Sequence, residues 1–167
     1  MSGYDLKTGG FDRKVNHFWS ADQAQIYRTL DKLVEEGWAD SELEIQHDHP
    51  NRKVYSITPA GQAELQRWLV EFQPLTVKRE PFLIQLFFGA DLSNQALLSL
   101  LEGQLTAHQE RLNGYEQVCS RLPALDDKKA GRADILHRLT LEGGLSSEKA
   151  AIEWLKQCIE VVKNLKE

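Results

Sequence analysis

The residues with the most chemical potential lie between Ser20 and Glu36. Projected on a helix, Ala21, Ala24, Gln25, Arg28 and Lys32 fall opposite Ile26, Leu30 and Leu33. Short side chains let a backbone approach the edges of base pairs, and alanine can touch a thymine methyl. Glutamine pairs with adenine, while arginine reads guanine or clamps a phosphate. Asp31 lies at the same edge and repels phosphate, which favours docking by the N-terminal half of the run. On spacing alone, the same residues also suit an ordinary solvated face. Arg52 and Lys53 stand beside a polar turn; they suit either a phosphate contact or the blunting of a sheet edge.

Catalytic and metal chemistry is thinly represented. No Gly-rich phosphate loop, GxSxG or HExxH pattern occurs. His47-Asp48-His49 has metal-ligating types but no third ligand nearby. Cys119 and Cys158 stand far apart with no CxxC pair, so neither a disulfide framework nor a zinc site is expected. The expectation is a protein that is not an enzyme and carries no metal or cofactor.

The elements that position these residues can be read from periodicity. Ile26, Leu30, Leu33 and Val34 recur at helical spacing, with Ser20 as the expected N-cap, Gln23 completing a capping box, and Gly37 as the stop. Leu43 and Ile45, then Tyr55 and Ile57, alternate on either side of the segment His47 to Asn51, which predicts a β-hairpin. Thr58-Pro59 opens another helix, carrying Leu65, Trp68, Leu69 and Phe72. A short apolar helix is expected over 79–89. From Leu98, the residues Leu98, Leu101, Leu105, His108, Leu112, Tyr115, Cys119 and Leu122 keep a 3,4 alternation, and a last helix over 130–165 repeats it through Leu155 and Val162. Gly143 and Gly144 interrupt that helix and are expected to permit a close helix contact. The fold class is therefore mainly α with a small β-hairpin: a winged helix-turn-helix over 1–74, followed by a helical dimerisation domain over 75–167.

Composition bounds these expectations. The chain has 167 residues, 41% hydrophobic and 27% charged, an ordinary globular balance. No apolar run approaches the ~20 residues of a membrane-spanning helix, and no apolar signal segment opens the sequence; a cytoplasmic protein is expected. The net charge is -5. Through Gln73 there are 8 Lys and Arg against 12 Asp and Glu. Nucleic-acid-binding chains are usually basic, so any such role must rest on a local arrangement of charge.

Helix, helix, hairpin, helix is the order of a winged helix-turn-helix, in which the helix before the hairpin enters the major groove. The residues themselves are familiar as well. Ser2-Gly3-Tyr4-Asp5-Leu6, Phe18-Trp19-Ser20, Gln25-Ile26-Tyr27-Arg28-Thr29-Leu30, Glu35-Glu36-Gly37 and the run from Arg52 to Gly61 occur in order and closely resemble the PadR family of bacterial transcriptional regulators. Leu141-Glu142-Gly143-Gly144 and Glu153-Trp154-Leu155 resemble that family's helical domain.

The resemblance implies double-stranded DNA as the partner. Tyr4, Ser20, Ala21, Ala24, Gln25, Arg28 and Lys32 would lie at the duplex, and Arg52 and Lys53 at the minor groove; Tyr27 and Tyr55 would be core or core-flanking. It implies a homodimer that reads a pseudo-palindrome, for which the seam residues Leu98, Leu101, Leu105, His108, Leu112, Tyr115, Leu155 and Val162 are the candidates; packing within one chain, helix hairpin against helix hairpin, is the alternative and accounts for part of the pattern. It also implies a small aromatic effector, with Trp19, Phe82, Phe87, Phe88 and Trp154 as candidates by type. Family members begin with a further apolar helix before the Gly-Tyr segment, so part of the winged core is expected to be open. The alternative reading is a winged-helix protein-interaction module that binds no DNA.

Overall fold

The computed structural model describes residues 1–16, 18–46 and 51–166; the side chains of Arg13 and Lys14 lie outside the description, as does the His47-Asp48-His49 cluster. The chain divides into two compact units, Met1–Thr76 and Val77–Glu167.

In the first unit, α1 (Gly3–Asp5) runs into a π-helical stretch, Leu6–Val15. The Ser2 hydroxyl accepts from the Asp5 amide at 3.1 Å and the Asp5 carboxylate accepts from the Ser2 amide at 2.9 Å, a reciprocal cap. Gly9-Gly10, poor helix formers, sit inside the wider-wound stretch. α2 spans Gln23–Glu35. Its N-cap is Asp22, not Ser20: the Asp22 carboxylate accepts from the Gln25 amide at 2.7 Å, where a negative charge also suits the positive end of the helix dipole. The expected Ser20–Gln23 capping box does not form. At the other end Gly37 takes φ +72°, and the Trp38 and Gly37 amides donate to the Leu33 and Val34 carbonyls. This is the Schellman arrangement expected of that glycine.

β1 (Ala39–Glu44) and β2 (Arg52–Ile57) pair antiparallel, with Ala39 opposite Ile57, Tyr55 opposite Ser41 and Glu44 opposite Arg52. β1 starts four residues before the alternation of Leu43 and Ile45 becomes visible, because Asp40, Ser41 and Glu42 carry no apolar signal. Met1 flanks the free edge of β2: its amine donates to the Tyr55 carbonyl at 3.0 Å and its carbonyl accepts from the Tyr55 amide at 2.9 Å. α3 (Pro59–Leu69) has Thr58 as N-cap and Pro59 in its first turn, as expected. Gly61 in α3 is seated on the backbone of Trp38; a Cβ there would lie 2.0 Å from the Trp38 carbonyl oxygen.

Ala21, Ile26, Leu30 and Tyr55 form the buried core of this unit, with Leu6, Phe11, Leu33 and Val34 packed around them. Beside the core an apolar groove of about 470 Å³ stays open, walled by Leu30, Leu33, Trp38, Tyr55, Leu65 and Trp68.

The second unit contains α4 (Pro81–Phe87), a 3₁₀ turn (Gly89–Asp91), α5 (Asn94–Cys119, capped by Ser93) and α6 (Arg132–Lys163). α5 and α6 pack as a hairpin in two clusters. Leu97, Leu101, Leu155, Ile159 and Val162 form one, with Phe82 and Leu86 of α4 against it; Cys119, Leu141 and Leu145 form the other. Against the second cluster the Tyr115 ring lies on Gly144, where a Cβ would come within 2.9 Å. The glycine thus admits the close helix contact expected of it.

This hairpin accounts for part of the seam. Leu101 and Leu155 are 0% exposed and Val162 is buried, while Leu98, Leu105, Leu112 and Tyr115 pack against the same two clusters. His108 pairs with Glu148 of α6. The heptad seam is covered in part within one chain, with Leu98, Leu105, His108, Leu112 and Tyr115 left half-buried, because a periodic stripe specifies that it must be covered and not which helix covers it. Among the described residues, no helix is long and apolar enough to cross a membrane.

Candidate nucleic-acid interface

α2 is two-sided. Ile26 and Leu30 are buried, while Ala24, Gln25, Arg28 and Lys32 are exposed on its other side. Arg28 and Lys32 enter no ion pair among the described residues. The Thr29 hydroxyl turns inward along the helix to donate to the Gln25 carbonyl at 2.9 Å, leaving the Gln25 side chain exposed.

Ala21 departs from the expectation. It precedes the capped helix and is 8% exposed, packed within the core and not on the outward side of α2. Its projected position assumed a helix beginning at Ser20, whereas Asp22 starts it with extended backbone. Ser20 and Tyr4 are exposed. Tyr4 sits on α1, which meets α2 where Gly3 lies against the Tyr27 ring. Tyr27 is half-buried and Tyr55 buried, in keeping with core and core-flanking positions.

The hairpin cations are held by neighbouring acids. Arg52 Nε donates to Glu44 Oε2 at 2.8 Å, directly across the strand pair, and its guanidinium lies 3.8 Å from Asp5. Lys53 Nζ donates to Asp31 Oδ1 at 2.9 Å, and the Tyr55 hydroxyl donates to the same oxygen at 3.4 Å. The ammonium also stands 5.1 Å from the centre of the Tyr55 ring. These contacts tie β2 to α2. The Lys53 hydrogen bond holds the Asp31 carboxyl below its usual range, and the Asp31 hydrogen bond raises Lys53 in turn. Burial raises the Tyr55 phenol.

Sequence reasoning treated Asp31 only as a repulsive edge. Its pairing with Lys53 spans two elements, which helical projection does not see. The Glu44–Arg52 pair was more accessible, since opposite charges facing one another across a hairpin are a recurring stabilising pair once the register is set.

The aromatic candidates are distributed over the two units. Phe82 and Trp154 meet edge to face at 6.1 Å, and Phe87 and Phe88 do so at 5.0 Å, both within the second unit. Trp19, in the first unit, helps to line a separate cavity of about 290 Å³ with Phe11, Gln25 and Thr29.

Helices, an adjoining paired ribbon and a helical hairpin in this order define a winged-helix regulator. Residues 1–67 match the model of the transcriptional regulator PadR-like family, and residues 78–163 match that of the virulence activator alpha C-terminal domain. The negative transcriptional regulator PadR of Bacillus subtilis is 33% identical over 165 residues, covering 97% of this chain and 90% of that protein. The structure of Bacillus subtilis PadR in complex with operator DNA is similar with a TM-score of 0.83 at 30% identity, over 96% of this chain and 90% of the other. PadR from the same organism in complex with p-coumaric acid gives 0.75 at 26% identity, over 99% and 89%. The chain belongs to the PadR-like family of transcriptional regulators.

Proposed function

We propose that the protein is a DNA-binding repressor that reads a pseudo-palindromic operator as a homodimer. The winged domain, 1–74, carries the DNA contacts: α2 lies in the major groove and the hairpin beside the minor groove, where cations meet enhanced negative potential. Ala24, Gln25 and Arg28 face base edges; Tyr4, Ser20, Lys32, Arg52 and Lys53 approach the backbone or the minor groove. The observation that carries this reading is the exposed Ala24–Gln25–Arg28–Lys32 side of α2, with its two cations unpaired among the described residues.

The helical domain, 75–167, carries dimerisation. The half-buried seam residues Leu98, Leu105, His108, Leu112 and Tyr115 are the candidates for contact with a second copy. A small aromatic effector releases the DNA, by analogy with the p-coumaric acid complex of the Bacillus subtilis protein.

The test is binding of duplex DNA from upstream of the protein's own gene, followed across a salt series. Phosphate contacts require affinity to fall as salt rises. Arg28→Ala should lose about 1–3 kcal/mol of operator affinity if Arg28 reads guanine, with sedimentation showing the dimer intact. Unchanged affinity at moderate salt would contradict the assignment of α2. The acidic balance of the first 73 residues and the internally paired hairpin cations favour one other reading, a protein-interaction module. Salt-dependent binding of the wild-type protein would exclude it.

A further inference from the structure

We propose that Asp31 sets the strength and salt dependence of DNA binding by holding the Lys53 ammonium away from phosphate. This rests on the DNA-binding reading above and goes beyond it by assigning a positioning role to a residue that faces DNA with the wrong sign.

Lys53 has one strong acceptor, Asp31 Oδ1 at 2.9 Å, and the Tyr55 hydroxyl converges on that same oxygen. The pair is at the surface: the Lys53 and Asp31 side chains are 44% and 55% exposed. Exposed ion pairs are weak, so a phosphate can displace this carboxylate, yet it must do so before Lys53 contributes a contact. Arg28 lies one turn before Asp31 on α2, and side chains three residues apart are neighbours on a helix. A phosphate arriving at Arg28 therefore meets the carboxylate that restrains Lys53. Arg28 and Lys32 carry no such restraint. The hairpin's contribution is conditional on exchanging an internal carboxylate for a DNA phosphate, and only a closely docked duplex provides that exchange.

The experiment measures the affinity of the full chain for a mixed-sequence DNA duplex between about 50 and 200 mM salt, using wild type, Asp31→Asn, Lys53→Met and the double variant. Removing the carboxylate frees Lys53 to neutralise one more phosphate, so the slope of log affinity against log salt in Asp31→Asn should steepen by about 0.9. Its affinity at the low-salt end should rise severalfold. Both gains should vanish in the Lys53→Met background, which is the coupling a double-mutant cycle isolates. Asp31→Glu, which keeps the charge, should return the wild-type slope.

Gains that persist in Lys53→Met would mean that Asp31 merely repels phosphate, and would overturn the proposal. An unchanged slope or a weaker Asp31→Asn would overturn it too. Should Asp31→Asn fail a circular-dichroism check of folding, Asp31→Ser is read by the same criteria. A wild-type protein that binds no duplex even at low salt would defeat the DNA-binding reading itself, and this inference with it; binding by wild type with no change in Asp31→Asn defeats the inference alone.

Discussion

Gly61→Ala tests how α3 is seated against the turn between α2 and β1. An alanine methyl there would stand 2.0 Å from the Trp38 carbonyl oxygen, 2.8 Å from its carbon and 3.0 Å from Ile57 Cγ1. The oxygen belongs to the backbone and accepts from the Thr58 amide at 3.1 Å, so it cannot rotate aside. The helix must lift instead. Overpacking of this kind costs about 1–3 kcal/mol. Lifting also disturbs the Thr58 hydroxyl, which accepts from the Gly61 amide at 3.0 Å, and such a cap is worth about 1 kcal/mol. The better helix propensity of alanine offsets about 0.5–1 kcal/mol. A net loss of about 1–3.5 kcal/mol remains, roughly 4–28 °C in the melting midpoint of a unit this small.

Gly103→Ala is the matched control, because a methyl at that position in α5 meets nothing within 4 Å. It should stabilise its unit by about 0.5–1 kcal/mol. Urea unfolding followed by tryptophan fluorescence distinguishes the sites, since Trp19, Trp38 and Trp68 lie in the first unit and Trp154 in the second. A Gly61→Ala protein with the wild-type midpoint would refute the backbone contact.

Three further outcomes are expected. Leu155→Ala, at a fully buried position facing Leu101, should cost about 2–5 kcal/mol, read as an earlier transition of the second unit. His108→Ala removes a partner 2.5 Å from the buried Glu148 carboxylate and leaves it Arg111 at 3.4 Å; a loss of about 1–3 kcal/mol should appear in the same assay. In alkali the first unit should weaken. The folded Tyr55 phenol is raised above 10.0, chiefly by burial, and Lys53 above 10.5 by its hydrogen bond to Asp31. A raised folded value means that the native state holds its proton more tightly, so stability present below the unfolded value is lost as pH climbs through the folded one. Melting between pH 8 and pH 11 should show this decline, and Tyr55→Phe should flatten part of it.

What the sequence made legible followed from local rules. The apolar spacing of Ile26, Leu30 and Leu33 identified α2 and its inward face, Gly37 its end, and Thr58-Pro59 the start of α3, because each signal acts within one or two turns. Alternation found β2 but missed the first half of β1, where Asp40, Ser41 and Glu42 are paired through backbone alone. The N-cap moved from Ser20 to Asp22, and that shift of two residues was enough to bury Ala21. The α5 seam was visible as a stripe, yet its cover by α6 depends on chain reversal over 120–131. At the candidate interface the outward residues of α2 could be read by projection. The Asp31–Lys53 pair could not, since it joins residues 22 apart in sequence.

The open channel walled by Trp38 and Trp68 bears on how this molecule can be handled. Environment-sensitive dyes seek such greasy, accessible clefts, so a dye-based melting trace should begin bright on the native protein and blunt the apparent transition. Indole emission is the sounder reporter, because both tryptophans stand at the cleft and would shift to the blue when anything dry settles there. By mass action, whatever settles there also raises the melting temperature, with the logarithm of its concentration once that exceeds the dissociation constant.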